Sequence, residues 1–343
     1  WLVNELEPKN PFYNMIENGI IGGTADEDLL NRVIDTLIER HESFRTRFGV
    51  VAGEAVQFIV QREDVNRSLK IIDIASLPGE EKRKRYGEII FEELRAPIDI
   101  TSRELFRFAV VKLEPGLFGL IFVMHHILSD GWSMNLLKQE FAQLYEAYAA
   151  DRTIEFEPLT VQYKDFACWQ VDRLNTPEFR EAYRDYWRGK FGGGLPVLNL
   201  PRDFEGVEDD GSLSGYGYRA MVGGGTYEKL RALTLERHTG MFALLVSGLA
   251  LTMSRIARQE DVVIGILSAG RDNLQFQEVV GFFVNTLISR HNIQPGESYR
   301  DFLDKAGKEL LDAQQYQDYP MEQICDDLDI PFPKISLMFN MVN

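Results

Sequence analysis

The sequence is poor in cysteine, which limits the metal and redox chemistry open to it. Its 343 residues include two cysteines, Cys168 and Cys325, and neither has the spacing of a zinc site. Two unpatterned cysteines are typical of a reducing compartment, so we expect a cytoplasmic protein with no metal site. Because Cys168 lies in the apolar stretch Phe-Ala-Cys-Trp, we predict that its thiol is packed inward and inert.

Basic charge and long apolar runs are also scarce. Lys and Arg total 37 against 53 Asp and Glu, which gives a formal net charge of −16. This chain lacks the positive surplus that displaces counterions from phosphates, so we expect no nucleic-acid partner. No apolar run is long enough for a membrane-spanning helix, and the most apolar stretch, 239–256, is interrupted by Ser and Thr. We therefore expect no membrane partner either.

The length and the pattern of elements predict two α/β domains. A chain of 343 residues is longer than one ordinary hydrophobic core needs. Helical periodicity runs from Asp26 to Phe44, with Asp26 or Thr24 as the cap. Other stretches have the pattern of buried strands, and a further strand is expected at 216–222. The glycine-rich and acidic stretch 192–215 is typical of a boundary. We predict an N-terminal domain over 1–175 and a C-terminal domain over 176–343.

The most informative stretch is Met124 to Ser133, which reads Met-His-His-Ile-Leu-Ser-Asp-Gly-Trp-Ser. Residues 117–123 before it are apolar at odd and even positions, the pattern of a strand buried on both faces. Helical periodicity follows from Trp132 to Ala150. A single histidine at a strand end is usually structural, but here two of the chain's five are followed by Asp, Gly, Trp and Ser. A strand, a polar corner and a helix form the rigid mount that catalytic side chains need.

This stretch resembles the His-His-x-x-x-Asp-Gly motif of the condensation domains of nonribosomal peptide synthetases. Four more segments match that family in order, at 40–48, 163–169, 280–290 and 316–322, with Phe44 where leucine is usual and Met321 where phenylalanine is usual. The chain departs from the family at its ends. The opening segment is reduced to Trp1-Leu2, and the chain stops before the elements that complete the C-terminal lobe in this family. We therefore expect that lobe to be incomplete.

The resemblance implies a fold, a reaction and partners. The fold would be a two-lobed, V-shaped α/β pseudo-dimer of the chloramphenicol acetyltransferase type, with the active site at the lobe interface. In the reaction, the α-amino group of a carrier-bound aminoacyl thioester would attack an upstream aminoacyl or peptidyl thioester to form an amide bond. The partners would be donor and acceptor peptidyl carrier domains and an adjacent adenylation domain, as in antibiotic or siderophore biosynthesis. The domain would bind no cofactor itself, because substrates arrive on the 4'-phosphopantetheine of the carriers.

The two histidines have different expected roles. A thioester is already activated, so direct attack needs no covalent enzyme intermediate, in agreement with the lack of a Gly-x-Ser-x-Gly segment. His126 is the candidate group beside the amine, since an imidazole with a pKa of about 6.5 suits a base or hydrogen-bond acceptor at neutral pH. Whether it takes the proton or orients the amine stays open. His125 is expected to shape the site from behind.

The residues after the histidines are expected to support the site. Asp130 is predicted to be buried, and the resemblance suggests Arg271, from a loop of the other lobe, as its ion-pair partner. Gly131 is either a donor of its N–H to the developing oxyanion or a turn glycine with positive φ. Trp132 and Ser133 are expected to pack and to cap the helix start. Asn285 is expected to bind a pantetheine amide or to hold a strand edge.

Other readings of the motif remain open. An epimerisation domain of the same fold shares the His-His-x-x-x-Asp-Gly core but uses a carboxylate to remove an α-proton; Trp132 and the Phe-Val-Asn-Thr segment favour condensation. A heterocyclisation domain has aspartate in place of the first histidines, and a non-catalytic recruiting module has degraded motifs. A free-standing acyltransferase using a diffusible thioester is also possible. Ile127-Leu128-Ser129, Phe-Phe-Val-Asn-Thr and Gln-Asp-Tyr-Pro together resemble the condensation subclass that takes an L-configured donor more than the one that takes a D-configured donor.

Overall fold

The computed structural model describes residues 10–65, 67–102, 105–191, 194–201 and 217–341. The chain forms two compact units, the first made of Trp1–Trp169 with Arg271–Phe283 and the second of Gln170–Gly270 with Val284–Asn343. The predicted division at residue 175 has a single boundary, whereas in the structure Arg271–Phe283 returns to the first unit. Of the stretch 192–215 that indicated the boundary, only 194–201 is described, and Trp1-Leu2 lies outside the described residues.

A four-stranded sheet organises the first unit. Its order is β1 (Asn14–Gly22), β6 (Leu117–His125), β5 (Phe106–Glu114) and β4 (Leu69–Asp73); β4 and β5 are parallel and the other pairs antiparallel. Seven of the nine residues of β6 are buried, as its unbroken apolar sequence predicts. A separate hairpin consists of β2 (Thr46–Val51) and β3 (Glu54–Ile59).

Three helices lie in the first unit among the described residues: α1 (Glu27–Arg40), α2 (Gly79–Arg95) and α3 (Gly131–Ala149). A further helix, α4 (Tyr163–Leu174), crosses the boundary between the units after Trp169. Asp26 caps α1 by accepting a hydrogen bond from Leu29 N at 2.8 Å, as predicted. The helix ends at Arg40 rather than Phe44, and a 3-10 turn follows over Glu42–Arg45. The apolar faces of α1 and α3 are buried in one core with the sheet, through Leu30, Val33, Ile34, Leu37, Leu137, Phe141 and Leu144.

The second unit contains a smaller sheet, in which β7 (Asp261–Ser268) pairs antiparallel with β8 (Asn285–Asn292) and parallel with the short β9 (Met338–Phe339). Its other described elements are α5 (Pro177–Phe191), α6 (Gly224–Glu236), α7 (Met241–Ala257), α8 (Tyr299–Gln315) and α9 (Met321–Leu328). The strand expected at 216–222 is wrong for 217–222, which have no regular structure and are exposed; residue 216 lies outside the described residues. A strand needs a partner for its backbone groups, and the alternation of apolar residues alone does not supply one.

The side chain of Cys168, on α4, is exposed, so the prediction of an inward-packed thiol is wrong. It follows the buried Phe166 by two helical positions, which is about 200° around the helix axis.

Across the described ranges, no single helix is long and apolar enough to cross a membrane; α6 and α7 reach that length and apolarity only as a pair, bent by 105°.

Candidate active site

The polar corner between β6 and α3 holds the two histidines. β6 ends at His125, one 3-10 turn covers His126–Leu128, and α3 begins at Gly131. Asp130 is the N-cap, and its Oδ1 accepts a hydrogen bond from Ser133 N at 2.8 Å. The prediction that Trp132 and Ser133 cap the helix is therefore wrong. The cap must be the last residue with non-helical backbone before the helix, and that residue is Asp130.

The His126 imidazole has a defined tautomer. Its Nδ1 lies 2.8 Å from the carbonyl oxygen of Ser129. A carbonyl oxygen only accepts hydrogen bonds, so Nδ1 carries the proton in the neutral ring and Nε2 presents a lone pair. No described residue forms a hydrogen bond with Nε2. The ring packs edge to face against Phe282, with centroids 4.9 Å apart and an interplanar angle of 88°. His126 is thus oriented with one nitrogen available as a base or acceptor.

His125 is held behind His126 in the opposite tautomer. Its side chain is 5% exposed, and its Nδ1 accepts a hydrogen bond from Ile127 N at 3.1 Å. Burial lowers the pKa of His125 to about 4, and the neighbouring His126 contributes to this shift. His125 is therefore neutral near pH 7. Its Nε2 is buried without a hydrogen-bond partner among the described residues, which suits a shaping role; that role stays a prediction.

Asp130 and Arg271 form the ion pair that the resemblance suggested. Arg271 Nη2 donates to Asp130 Oδ1 at 3.1 Å and Oδ2 at 3.2 Å, and Phe283 N donates to Oδ2 at 3.1 Å. Burial lowers the pKa of Arg271, and the Asp130 carboxylate opposes that shift. Arg271 was expected from the other lobe, but in the structure it belongs to the first unit. A carboxylate that already accepts these bonds and has no exposed surface is unsuited to removing a substrate proton.

Three consecutive carbonyls fix the segment Arg271–Phe283 to the rest of the first unit. Side chains of Ser43, Ser133 and Tyr163 donate to the carbonyl oxygens of residues 280, 281 and 282, at 2.5, 2.9 and 2.8 Å. The Ser133 hydroxyl also accepts from Arg271 Nη2 at 2.8 Å and from the residue 281 N–H at 3.1 Å. Sequence reasoning missed the contributions of Ser43 and Tyr163, although both stand in segments that match the family. These bonds place Phe282 beside His126.

Trp132 is attached to the same segment. Its Nε1 donates to the carbonyl oxygen of Gln277 at 2.8 Å, and the Arg271 guanidinium lies 5.8 Å from its ring. The Trp132 side chain remains 47% exposed. Trp132 therefore packs as predicted, but it lies on the surface of the segment and not inside the hydrophobic core.

Gly131 has a helical backbone, and the space around its Cα is unoccupied on the side where a side chain would lie. As the first residue of α3 its N–H has no intrahelical acceptor and lies at the positive end of the helix. Because its backbone is helical, the alternative of a turn glycine with positive φ is wrong. A Cβ built on Gly131 would meet no atom within 4 Å. A side chain of one carbon would therefore fit at this position, and the expected role of the N–H toward an oxyanion stays a prediction.

Asn285 is engaged in the second unit. Its Nδ2 donates to the carbonyl oxygens of Gln317 at 2.7 Å and Tyr319 at 3.0 Å, and its Oδ1 accepts from Thr286 N at 2.9 Å. Both amide hydrogens are thereby used to join the start of β8 to the segment before α9. This is the strand-edge role that the sequence left open; a contact with pantetheine stays a prediction.

The sequence profile of the family described as "Condensation domain" matches residues 1–343. The chain belongs to the condensation domain family. It is 35% identical over 333 residues to tyrocidine synthase 3 of Brevibacillus parabrevis and 34% identical over 330 residues to bacitracin synthase 3 of Bacillus licheniformis. Each alignment covers 96% of this condensation domain but 5% of the synthase, so the domain spans a small part of these relatives.

Solved condensation domains share the fold. The first condensation domain of the CDA synthetase superposes with a TM-score of 0.81 at 18% identity, covering 100% of this chain and 80% of that one. The starter condensation domain of rhizomide synthetase superposes with a TM-score of 0.79 at 18% identity, covering 99% and 75%. The condensation domain described here thus has the chloramphenicol acetyltransferase-like α/β fold. Condensation domains of peptide synthetases form amide bonds by acyl transfer.

Proposed function

We propose that this condensation domain forms peptide bonds in a nonribosomal peptide synthetase. The α-amino group of an aminoacyl thioester on an acceptor carrier attacks the aminoacyl or peptidyl thioester on a donor carrier. The observation that carries the proposal is the arrangement of His126, whose Nδ1 is hydrogen-bonded to the Ser129 carbonyl while Nε2 has no hydrogen-bond partner among the described residues. An imidazole held in this way can bind an amine N–H at one fixed nitrogen.

The reaction requires the movement of one proton and the loss of one thiolate. An α-amino group has a pKa of about 8, so a sizeable fraction is neutral at physiological pH and able to attack. Attack forms the C–N bond and places negative charge on the thioester oxygen, which the Gly131 N–H stabilises. His126 Nε2 accepts the proton released from the nitrogen, and the C–S bond breaks as the donor pantetheine leaves as a thiolate. The thiolate is then protonated, and the peptidyl chain remains on the acceptor carrier.

The partners and the donor class follow from the same proposal. Both substrates arrive on 4'-phosphopantetheine, so the domain needs donor and acceptor carrier domains, an adenylation domain that loads them, and no cofactor of its own. The multidomain length of the relatives supports this arrangement, and the proposal includes a cytoplasmic location. We assign the domain to the subclass that takes an L-configured donor, on the residues Ile127-Leu128-Ser129.

The test uses the protein that contains this domain in its full length, with two carrier domains loaded with L-aminoacyl thioesters. Intact-mass spectrometry of the acceptor carrier detects the dipeptide. Wild type is expected to form it, and His126→Ala to lose at least about 100-fold of the rate, within the usual contribution of a general base. His238→Asn, which changes an exposed histidine, is the matched control and is expected to be fully active.

Each result leads to a different conclusion. Near-normal turnover by His126→Ala would refute the role of His126. If folded wild type made no dipeptide, deuterium incorporation at the α-carbon in D2O would indicate epimerisation, and its absence a recruiting module. A donor carrier loaded with the D-amino acid is expected to react more slowly than its L-counterpart; the reverse preference would refute the assigned subclass.

A further inference from the structure

Phe282 presents a partly exposed phenyl ring beside His126. Of residues 279–283, Val279, Val280, Gly281 and Phe283 are buried, whereas Phe282 is 40% exposed. Its ring packs edge to face on His126, at 4.9 Å between centroids. An apolar ring that is not enclosed in a core and that contacts the candidate catalytic imidazole is available to contact a substrate as well.

The backbone around Phe282 is fixed on both sides of the ring. Its carbonyl oxygen accepts from Tyr163 OH at 2.8 Å, and the next N–H donates to Asp130 Oδ2 at 3.1 Å. On the other side Gly281 lies so close to the Tyr163 ring that a Cβ would be 2.1 Å from Cδ2. The backbone of the segment therefore has little freedom to shift, and it holds the Cα of Phe282 at a fixed position beside His126.

The substrate atom nearest this ring can be identified from the proposed reaction. The attacking nitrogen must come within about 2.6–3.2 Å of His126 Nε2. The acceptor α-carbon is one bond beyond that nitrogen, and the acceptor side chain begins on this carbon. A group packed directly on the imidazole therefore faces the first atoms of the acceptor side chain rather than the distant part of the donor chain.

We propose that Phe282 is a specificity-determining residue that limits the size of the acceptor side chain at His126. The proposal rests on the proposed function, because it needs an amine to approach Nε2. It assigns the limit to the ring itself, so the size of residue 282 sets the accepted volume. A smaller residue at this position enlarges the space beside the imidazole, and a larger one reduces it.

The experiment is a competition between two acceptors with one donor. The full-length protein receives a donor carrier loaded with an L-aminoacyl thioester, and equal amounts of acceptor carriers loaded with L-alanine and L-tryptophan. Intact-mass spectrometry gives the ratio of the two dipeptides, which cancels any general loss of activity. Phe282→Ala is expected to raise the tryptophan-to-alanine ratio about tenfold, the size of effect that pocket volume usually has. Phe282→Leu should give a smaller increase and Phe282→Trp a decrease.

Phe91→Ala is the matched control, since Phe91 is a 52% exposed phenylalanine on α2. It is expected to leave the ratio unchanged. An unchanged ratio in all three Phe282 variants, with dipeptide still formed, would overturn the inference and leave the proposed function intact. A wild-type protein that forms neither dipeptide would overturn the proposed function and the inference with it. If Phe282→Ala does not fold, the ordered ratios of the Leu and Trp variants decide the question.

Discussion

Asp130 and Arg271 are both almost completely buried, and Arg271 Nη2 contacts both oxygens of the carboxylate. The same carboxylate caps α3, and the same guanidinium donates to carbonyls of its own segment. One pair of side chains thus joins the start of the catalytic helix to the segment that carries Phe282.

Asp130→Ala is expected to destabilise the protein by about 3–5 kcal/mol, because it leaves a buried guanidinium without its partner and α3 without its cap. Urea denaturation followed by circular dichroism measures the change. The double variant Asp130→Ala with Arg271→Met removes the stranded charge and should regain part of the loss. Arg85→Ala, which breaks an exposed pair with Glu92, is the control and should change little. A well-folded, merely slow Asp130→Ala protein would contradict the structural role.

Gly131→Ala separates function from stability. A methyl group at Gly131 meets no atom, and alanine is the better helix former, so the free energy of unfolding should stay the same or rise by up to about 1 kcal/mol. Dipeptide formation should fall at least about tenfold, because the methyl group occupies the space beside the exposed N–H. Gly189→Ala, at an exposed position of α5, is the control and should keep full activity. Unchanged condensation by Gly131→Ala would contradict the close approach of a substrate oxygen to this residue that the proposed role requires.

His291 is expected to make the protein less stable in mild acid. Burial lowers the pKa of His291 to about 4, and Lys190 adds to this shift; its Nε2 lies 2.8 Å from Ser289 Oγ. The unfolded chain, with a histidine pKa of about 6.5, binds the proton more readily, so stability is lost as pH falls from about 6.5 toward 4. The loss attributable to His291 should be about 2 kcal/mol at pH 5. Denaturation of wild type and His291→Gln at pH 7.5 and 5 checks this: the variant should lose less, and equal losses would contradict it.

Asn285→Ala should destabilise the second unit by about 1–3 kcal/mol. The substitution leaves the carbonyl oxygens of Gln317 and Tyr319 without their donor. Asn135→Ala, on the exposed surface of α3, is the control for loss of a carboxamide and should be neutral. If Asn285→Ala kept full stability but lost condensation, the pantetheine-binding role would be favoured over the structural one.

The sequence predicted features that depend on local pattern or on a shared motif. The buried strand β6, the cap at Asp26 and the pairing of Asp130 with Arg271 were all predicted, the last through the resemblance. Features that depend on which backbone group a side chain meets were not. Ser43 and Tyr163 donate to carbonyls 237 and 119 residues away, and a hydroxyl bonded to a distant carbonyl leaves no periodicity in the sequence. For the same reason the return of Arg271–Phe283 to the first unit had no local signal.

The position of Arg271–Phe283 in the first unit has a consequence for folding during synthesis. Arg271 follows Asp130 by 141 residues, and ribosomes add about 5–20 residues per second, so the carboxylate is synthesised roughly 7–28 seconds before its partner. During this interval the ribosome makes most of the second unit, while the first unit still lacks the segment Arg271–Phe283. The first unit is therefore expected to remain unfinished at its polar corner until residues 271–283 are translated.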